Sequence, residues 1–317
     1  MTRFLLKRLG LALVTLVLLS AIVFGISTIL PGDVGRAVLG PFATQESVDA
    51  LNEQLGTDRP VLRQYAEWAG GLLRGDLGVS LTKQVPAWDL LRPALVNSFK
   101  LALVAFLICV PLSILGGVIA GLRYGRLTDR SVTIAGISLA AMPEFVTGIV
   151  LILVFGIWFG WLPVTAQAEE GANVATQVKY LLLPALTLTL VLFGYIARIT
   201  RAGVIEALES DYTRTAYLKG LPSNVVVRRH VLRNALPPTI AVVAVQVGYL
   251  VGGLVAVELL FNYQGIGLLV YEAARQKDLP LLTAGVLVIG VVYLVVTLVA
   301  DILYAALNPR IRLGSAE

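Results

Sequence analysis

The residues able to make specific polar contacts concentrate in one stretch, Glu206 to Pro238, between two apolar runs of membrane length. It reads Asp211-Tyr212-Thr213-Arg214-Thr215-Ala216-Tyr217-Leu218-Lys219-Gly220-Leu221-Pro222, then Arg228-Arg229-His230-Val231-Leu232-Arg233-Asn234-Ala235-Leu236-Pro237. The chain's single histidine, His230, lies here with no acid or nucleophile placed to work with it, so the chemistry on offer is recognition and not catalysis. A polar, basic and helix-forming loop of this length is more than a connector. It is expected to be a surface on which another protein acts.

Elsewhere the chemistry is sparse. No G-x-x-x-x-G-K-[ST] loop is present to cradle nucleotide phosphates, and one cysteine with one histidine cannot build a Cys/His metal set. No catalytic, cofactor-binding or metal-ligating residues are therefore expected. Cys109 sits among Leu107, Ile108 and Val110 and reads as inert packing. The sharpest isolated charge is Glu144, beside Pro143 and Phe145 within an apolar run; a carboxylate at that depth costs a few kcal/mol, about 2.5–3.5 on insertion scales. Two readings stand for Pro143, Glu144 and Phe145: a translocation pathway or gate, or a carboxylate capping the helix turn that the proline frees. Asp301 is expected to meet Arg310, Arg312 or a loop arginine, and Glu258 to sit at interface depth. These acids do not form the relay that a proton- or sodium-driven carrier displays.

The elements that hold these residues follow from hydropathy. Apolar residues make up 57% of the 317 and charged residues 14%, against about 25% charged in soluble domains. Six runs reach the roughly 20 residues that a span requires: 9–30, 99–122, 132–160, 180–199, 239–260 and 281–307. The first follows Arg3, Lys7 and Arg8 but lacks a small-residue cleavage site, so a retained span is expected instead of a signal peptide. Basic residues crowd alternate connections, as in Arg123, Arg126 and Arg130 and again from Arg198 to Arg233, which predicts cytoplasmic N- and C-termini. The net charge of +5 reflects that bias, and no nucleic acid partner is implied. The expected fold is an all-α membrane protein of six transmembrane helices, a single transmembrane domain over 1–317. A long outer loop, 31–97, should carry short amphipathic helices near 47–55 and 62–73. Pro111 and Pro143 are expected to interrupt the second and third spans. Gly117-x-x-x-Gly121, Gly156-x-x-x-Gly160 and Gly248-x-x-x-Gly252 suit close helix contact.

Within the polar stretch, a loop of about 200–237, the spacing predicts helix, tight corner, helix. Gly220 suits the left-handed conformation that ends a helix, Pro222 blocks continuation, and Ser223 suits an N-cap for a second helix over 225–232. Asp211 with Arg214, and Glu206 with Ser210, are spaced to pair. Tyr212, Ala216, Tyr217 and Leu221 give the first helix an apolar edge ringed by Arg214 and Lys219, which suits docking.

These residues resemble the cytoplasmic loop of permease subunits of binding-protein-dependent ABC importers, dipeptide/oligopeptide branch. The branch pattern Asp-Tyr-x-Arg-Thr-Ala-x-x-Lys-Gly-Leu is matched throughout by Asp211 to Leu221. The leading Glu-Ala of the wider family motif is absent, and Pro222 stands where a serine is frequent. The resemblance extends to Leu30-Pro31-Gly32-Asp33, Gly75-Asp76-Leu77-Gly78, Pro143-x-Phe145, Trp161-Leu162-Pro163, Glu258-x-x-Phe261-x-x-x-Gly265-Ile266-Gly267 and the stretch Asp301 to Arg312, where Asn308 replaces a common aspartate.

The resemblance implies a coupling helix between spans four and five, carried by Asp211, Tyr212, Arg214, Thr215, Ala216, Tyr217, Lys219, Gly220 and Leu221, seated in a groove of a cytoplasmic ATPase. It implies as partners a homologous sister permease in a heterodimer, two ABC ATPase subunits, an extracytoplasmic solute-binding protein and membrane lipid. ATP and Mg would be bound by the ATPases and no cofactor by this chain. The location implied is the bacterial inner membrane, and the solute a peptide, with nickel chelates, glutathione, opines and oligosaccharides as alternatives within the branch. A self-sufficient secondary transporter is the alternative of another class.

Overall fold

Helix dominates because apolar segments without water must satisfy their backbone groups internally. A computed structural model describes residues 2–29, 34–40, 42–56, 59–169, 171–252 and 254–307. In chain order the helices are α1 Thr2–Ile29, α2 Val34–Leu39, α3 Gln45–Leu55, α4 Val61–Leu73, α5 Ala87–Leu122, α6 Leu127–Ala141 and α7 Glu144–Leu151. A π-helical stretch, Ile152–Trp158, continues α7. Then come α8 Val174–Glu209, α9 Asp211–Leu218, α10 Ser223–Val226, a π-helical turn Val227–Val231, α11 Leu232–Gly252, α12 Val255–Leu260, α13 Ile266–Arg275 and α14 Leu279–Leu307. Among the described residues there is no strand, only an isolated bridge between Val79 and Pro86.

Five helical segments are long and apolar enough to cross a membrane, or six when the bent pair α6 and α7 with its π-helical extension is counted as one span. Three expectations need correction. Helix α5 runs through Pro111 without a break. Ser223 is the first residue of α10 and not its cap; Pro222 occupies the cap position with no side-chain bond. The second helix after the corner does not stop at residue 232, since α10, the π turn and α11 form one span over Ser223–Leu250. The short helices expected near 47–55 and 62–73 are present as α3 and α4. The motifs 30–33 and 308–312, and the pairing of Asp301 with Arg310 or Arg312, lie outside the described residues.

The chain divides into two compact units. The first comprises Met1–Ser98 and Gln264–Leu294. Here α1 meets α4 through Phe24, whose ring lies 5.5 Å from Tyr65 and 5.3 Å from Trp68, while the Ser20 and Tyr65 hydroxyls share a 2.8 Å bond. Its core joins Ala87, Leu91 and Ala94 of α5 to Ile266 and Ala273 of α13 and Leu281 and Ala284 of α14. Asp278, fully buried at the start of α14, accepts hydrogen bonds from the Ser80 hydroxyl and from the Thr82 amide (3.1 Å) and hydroxyl (2.8 Å). The Leu81 amide (3.1 Å) and the Leu281 amide (3.3 Å) of the adjoining helix complete the set. Burial alone would raise the Asp278 carboxyl, but the donors from Ser80, Thr82 and Leu81 outweigh it and hold the group below the usual carboxylate value.

The second unit comprises Phe99–Tyr263 and Val295–Glu317, and α8 is its axis. Leu192, Ile196, Thr200, Val204 and Ala207 return at near-helical spacing and are all buried. Glycines let neighbouring helices reach its backbone. Gly136 of α6 meets Gly194 backbone to backbone, Gly117 and Gly121 of α5 face Ala197, Thr200 and Val204, and Gly203 faces the Ala235 carbonyl of α11. Thr200 donates to the Ile196 carbonyl (2.9 Å) and accepts from Thr239 of α11 (3.2 Å). The Gly117–Gly121 pair therefore packs as its spacing suggested. Gly156 and Gly160 do not act as a pair: Gly156 faces Val164, and Gly160, at φ +63°, follows the end of the helical run. The surroundings of Gly252 lie outside those described.

Two outcomes are expected. Gly194→Val, which forces a side chain into the Gly136 backbone, should destabilise the unit by about 1–3 kcal/mol or more, whereas Gly10→Ala, with open space around it in a helix interior, should be neutral or stabilise by up to about 1 kcal/mol; thermal unfolding in detergent reads the difference. Because the folded carboxyl of Asp278 lies below its unfolded value, its stabilising contribution is present above the usual carboxylate range and lost as pH falls through the depressed value. Exchange protection of the Leu81 and Thr82 amides, corrected for intrinsic rate, should accordingly survive acidification until after exposed aspartates protonate.

Candidate functional site

Helix α8 ends and α9 begins at a shared residue, Ser210, whose extended backbone (φ −72°, ψ 150°) turns the chain. Ending a helix leaves its last carbonyls without partners. The Ala207 carbonyl is satisfied twice, by the Ser210 hydroxyl (2.6 Å) and the Thr213 hydroxyl (2.7 Å), and Ser210 also donates to Thr213 (3.1 Å). The Thr213 and Arg214 amides in turn donate to the Ser210 carbonyl, both at 3.1 Å.

The far end of α9 closes in the way glycine allows. Gly220 takes φ +74°, the Leu221 amide donates to the Ala216 carbonyl (3.3 Å) and the Gly220 amide to that of Tyr217 (2.9 Å). This pair of bonds is a Schellman motif. Its hydrophobic contact is present too, since Ala216 and Leu221 belong to one apolar cluster with Val204, Ala207, Val226, Val231 and Ala235.

That cluster revises the expected docking edge. Ala216 is 4% exposed, and Leu221 is partly buried against the same cluster; they fasten α9 to the chain's own body. The outward face instead carries Tyr212, Arg214, Thr215, Tyr217, Leu218 and Lys219, with Leu218 80% exposed. Leu218 and Thr213 are the residues that sequence reasoning passed over. The signal was available in the helical period, which puts Thr213 and Ala216 three apart on the inward face and turns Leu218 away from it. The Asp211–Arg214 and Glu206–Ser210 pairings do not form: none of Asp211, Arg214 and Glu206 has a side-chain partner among the described residues, and Ser210 bonds elsewhere.

The π turn explains how the second helix fits the same cluster. Val226 and Val231 are both fully buried although five residues apart, a spacing that a regular α-helix turns to different sides. The wider π turn over Val227–Val231 brings them to one face, and Arg228 and Arg229 remain exposed.

Above the corner, α8 is clamped to the connection between α5 and α6. Arg201 reaches Asp129 with its Nε and with Nη2 (2.9 Å), while the Asp129 carboxylate also accepts from the Gly125 amide (2.9 Å). The Arg201 guanidinium stands 5.2 Å from the centre of the Tyr124 ring. Asp129 is buried and Arg201 partly exposed, so this is a two-point pair with its carboxylate side shielded from water.

Pro143, Glu144 and Phe145 stand at the break between α6 and α7. Proline disfavours helical geometry in the residue before it, and Met142 is accordingly extended (φ −80°, ψ 134°). The two helices meet at 110°. The amides of Val146 and Thr147 are satisfied by the Pro143 carbonyl, at 3.0 and 3.2 Å. The Glu144 carboxylate is thus not the cap of its own helix; it accepts from the Tyr249 hydroxyl of α11 at 3.3 Å. Glu258, expected at the interface, is fully buried in α12. No group of three or more His, Cys, Asp or Glu side chains gathers among the described residues.

This is a polytopic helical membrane protein that presents a rigid helical corner beside its central helix. Residues 113–313 match the family model described as "Binding-protein-dependent transport system inner membrane component", and residues 1–101 match the N-terminal model of such membrane components. The chain belongs to this family: it is the permease of a binding-protein-dependent ABC importer, a multi-span component of the bacterial inner membrane. It is 33% identical to the "Probable peptide ABC transporter permease protein y4tP" of Sinorhizobium fredii (strain NBRC 101917 / NGR234), over 98% of this chain and 99% of that one. It is 35% identical, over 98% and 99%, to the "Glutathione transport system permease protein GsiC" of Escherichia coli O6:H1, and 34% identical over the same shares to that of strain K12. The fold is shared with the "Crystal structure of an amino acid ABC transporter with histidines", at TM-score 0.50 and 15% identity, covering 70% of this chain and 94% of that one. The secondary-transporter alternative is not favoured.

Arg201→Met should strand the buried Asp129 carboxylate and lower stability by about 3–5 kcal/mol. The double variant Asp129→Asn/Arg201→Met should recover most of the loss, as a thermal melt of the three proteins will show.

Proposed function

We propose that this chain forms half of the translocation pathway of an ATP-driven peptide importer, and that α9 with its Gly220 corner is the surface seated in an ATPase subunit. The observation that carries the reading is the division of labour on α9. Thr213, Ala216 and Leu221 bind it to its own core, which leaves Leu218, Tyr217 and Tyr212 apolar and outward beside Arg214 and Lys219. An apolar centre with a basic rim suits a protein groove. Lipid headgroups would also attract the basic residues, but they have no need of a corner held rigid at both ends.

In this reading both termini and α9 face the cytoplasm, and a homologous sister permease supplies the other half of the pathway. Two ATPase subunits bind ATP and Mg, and this chain is non-catalytic and binds no cofactor. Closure of the ATPases draws the coupling helices together, and the corner passes that movement to α8 through the Ser210–Thr213–Ala207 bonds. A solute-binding protein delivers the solute on the outer side. The names of the relatives support a peptide or a compound of glutathione's kind as that solute. Pro143, Glu144 and Phe145 line the pathway at the 110° break.

Leu218→Glu leaves the chain's own core untouched and should cut co-purification of the ATPases, and solute-stimulated ATP hydrolysis, by about tenfold or more. Gly220→Val has open space for its side chain but strains the left-handed backbone by roughly 1–2 kcal/mol, and it should abolish uptake with insertion intact. Full ATPase association in the Leu218→Glu protein would overturn the docking face.

A further inference from the structure

Glu144 carries a problem that its own chain does not solve. It lies near the middle of the bent α6–α7 span, and among the described residues its one polar partner is the Tyr249 hydroxyl. A carboxylate offers about four acceptor positions, and a neutral phenol fills one. No arginine or lysine pairs with it among the described residues. The carboxylate is only half-buried, and its neighbours Phe145 and Tyr249 are 51% and 42% exposed. A charge left in that state facing lipid is costly, so the open side is expected to face a watery path or a cation.

The missing group has a defined chemistry. No set of three or more acidic, His or Cys ligands gathers for a divalent metal among the described residues, and a single carboxylate suits a monovalent cation. A primary ammonium brings three donors to the vacant acceptors, and exposed aromatic faces beside a carboxylate add cation–π attraction. Tyr249 reaches the carboxylate from a second helix at 3.3 Å, a long bond that gives the recognising group one orienting contact.

We propose that Glu144 and Tyr249 form a subsite for the primary ammonium group of the passing solute, Glu144 as the ion-pairing group and Tyr249 as the residue that positions it. This rests on the reading of Pro143 to Phe145 as pathway, and it makes the free amino terminus of a peptide the feature that this permease senses. The geometry keeps the interaction weak: one carboxylate, with no enclosing set of acceptors among the described residues, allows the solute to leave as readily as it enters.

The test uses the complete transporter in lipid nanodiscs carrying Phe145→Cys. The native Cys109 is buried, so on this chain the new thiol is the one a maleimide reaches, and labelling is read on this subunit after the subunits are separated. Labelling is timed with dialanine, which has a primary ammonium, and with N-acetyl-dialanine, which does not. Dialanine is expected to slow labelling and the acetylated compound to leave it unchanged. Adding Glu144→Gln should remove the protection, Glu144→Asp should retain part of it, and Tyr249→Phe should weaken it less than Glu144→Gln. ATP-driven dialanine uptake by the Glu144→Gln transporter, without the cysteine, should fall by about ten- to a hundredfold, the range of a lost hydrogen bond to a charged group. Equal protection by both compounds, or none by either, overturns the subsite. So does loss of the sister permease from the Glu144→Gln complex with labelling insensitive to dialanine, which would assign the missing cation to that subunit. Labelling needs no transport, so a subsite that fails while wild-type uptake still depends on Leu218 leaves the importer reading intact. A transporter with Phe145 in place that does not carry dialanine, although dialanine protects the thiol of its Phe145→Cys form, overturns the peptide reading alone.

Discussion

Close approach of helix backbones to α8 is the constraint on which the second unit depends. Between helices in lipid there is little hydrophobic drive, because the tails are as apolar as leucine, and association rests on van der Waals contact at short range. Gly136, Gly194, Gly117, Gly121 and Gly203 give that range by removing side chains where α5, α6 and α11 cross α8. A helix held on three sides by backbone contact moves as a body. Its last turn is bonded to the corner with α9 through the Ala207 carbonyl.

The polar bonds in this unit are placed where the axis changes direction. Ser210 and Thr213 satisfy the carbonyl freed at the end of α8, Gly220 closes α9, and Arg201 fastens the helix to the α5–α6 connection through Asp129. Each replaces a lost backbone bond or a lost hydration shell, so the bends stay rigid despite leaving regular helix. Glu144 stands apart from this pattern, since the Pro143 carbonyl already satisfies the turn beside it. A carboxylate without a structural duty in a costly position is a functional candidate on physical grounds.

In the first unit the same economy appears around one buried carboxylate. Asp278 organises the Ser80–Thr82 loop by accepting from the hydroxyls of Ser80 and Thr82 and from the amides of Leu81 and Thr82. Nothing in the spacing of residues 80 and 278 announces that contact. It is a meeting of two loops brought about by the packing of α5, α13 and α14.

Much of the molecule was legible before any coordinates. The long apolar helices, the α3 and α4 helices, the left-handed Gly220 and the break at Pro143 follow from local rules: the length of an apolar run, helical period, glycine's freedom at positive φ and proline's effect on its predecessor. The Asp211–Leu221 motif likewise identified the family. What the sequence left undecided are matters of partnership. A proline such as Pro111 bends or tolerates a helix according to its neighbours, and here α5 continues through it. Ala216 and Leu221 could have faced outward until the Val226–Val231 π turn supplied the cluster that takes them in. The same change of phase hid the continuity of α10 with α11, because a five-residue return breaks the period from which helices are read. Local chemistry acts over a few residues and is written in their order; burial, long-range hydrogen bonds and the side of a helix that stays free depend on which segments meet in space, and only tertiary structure decides that.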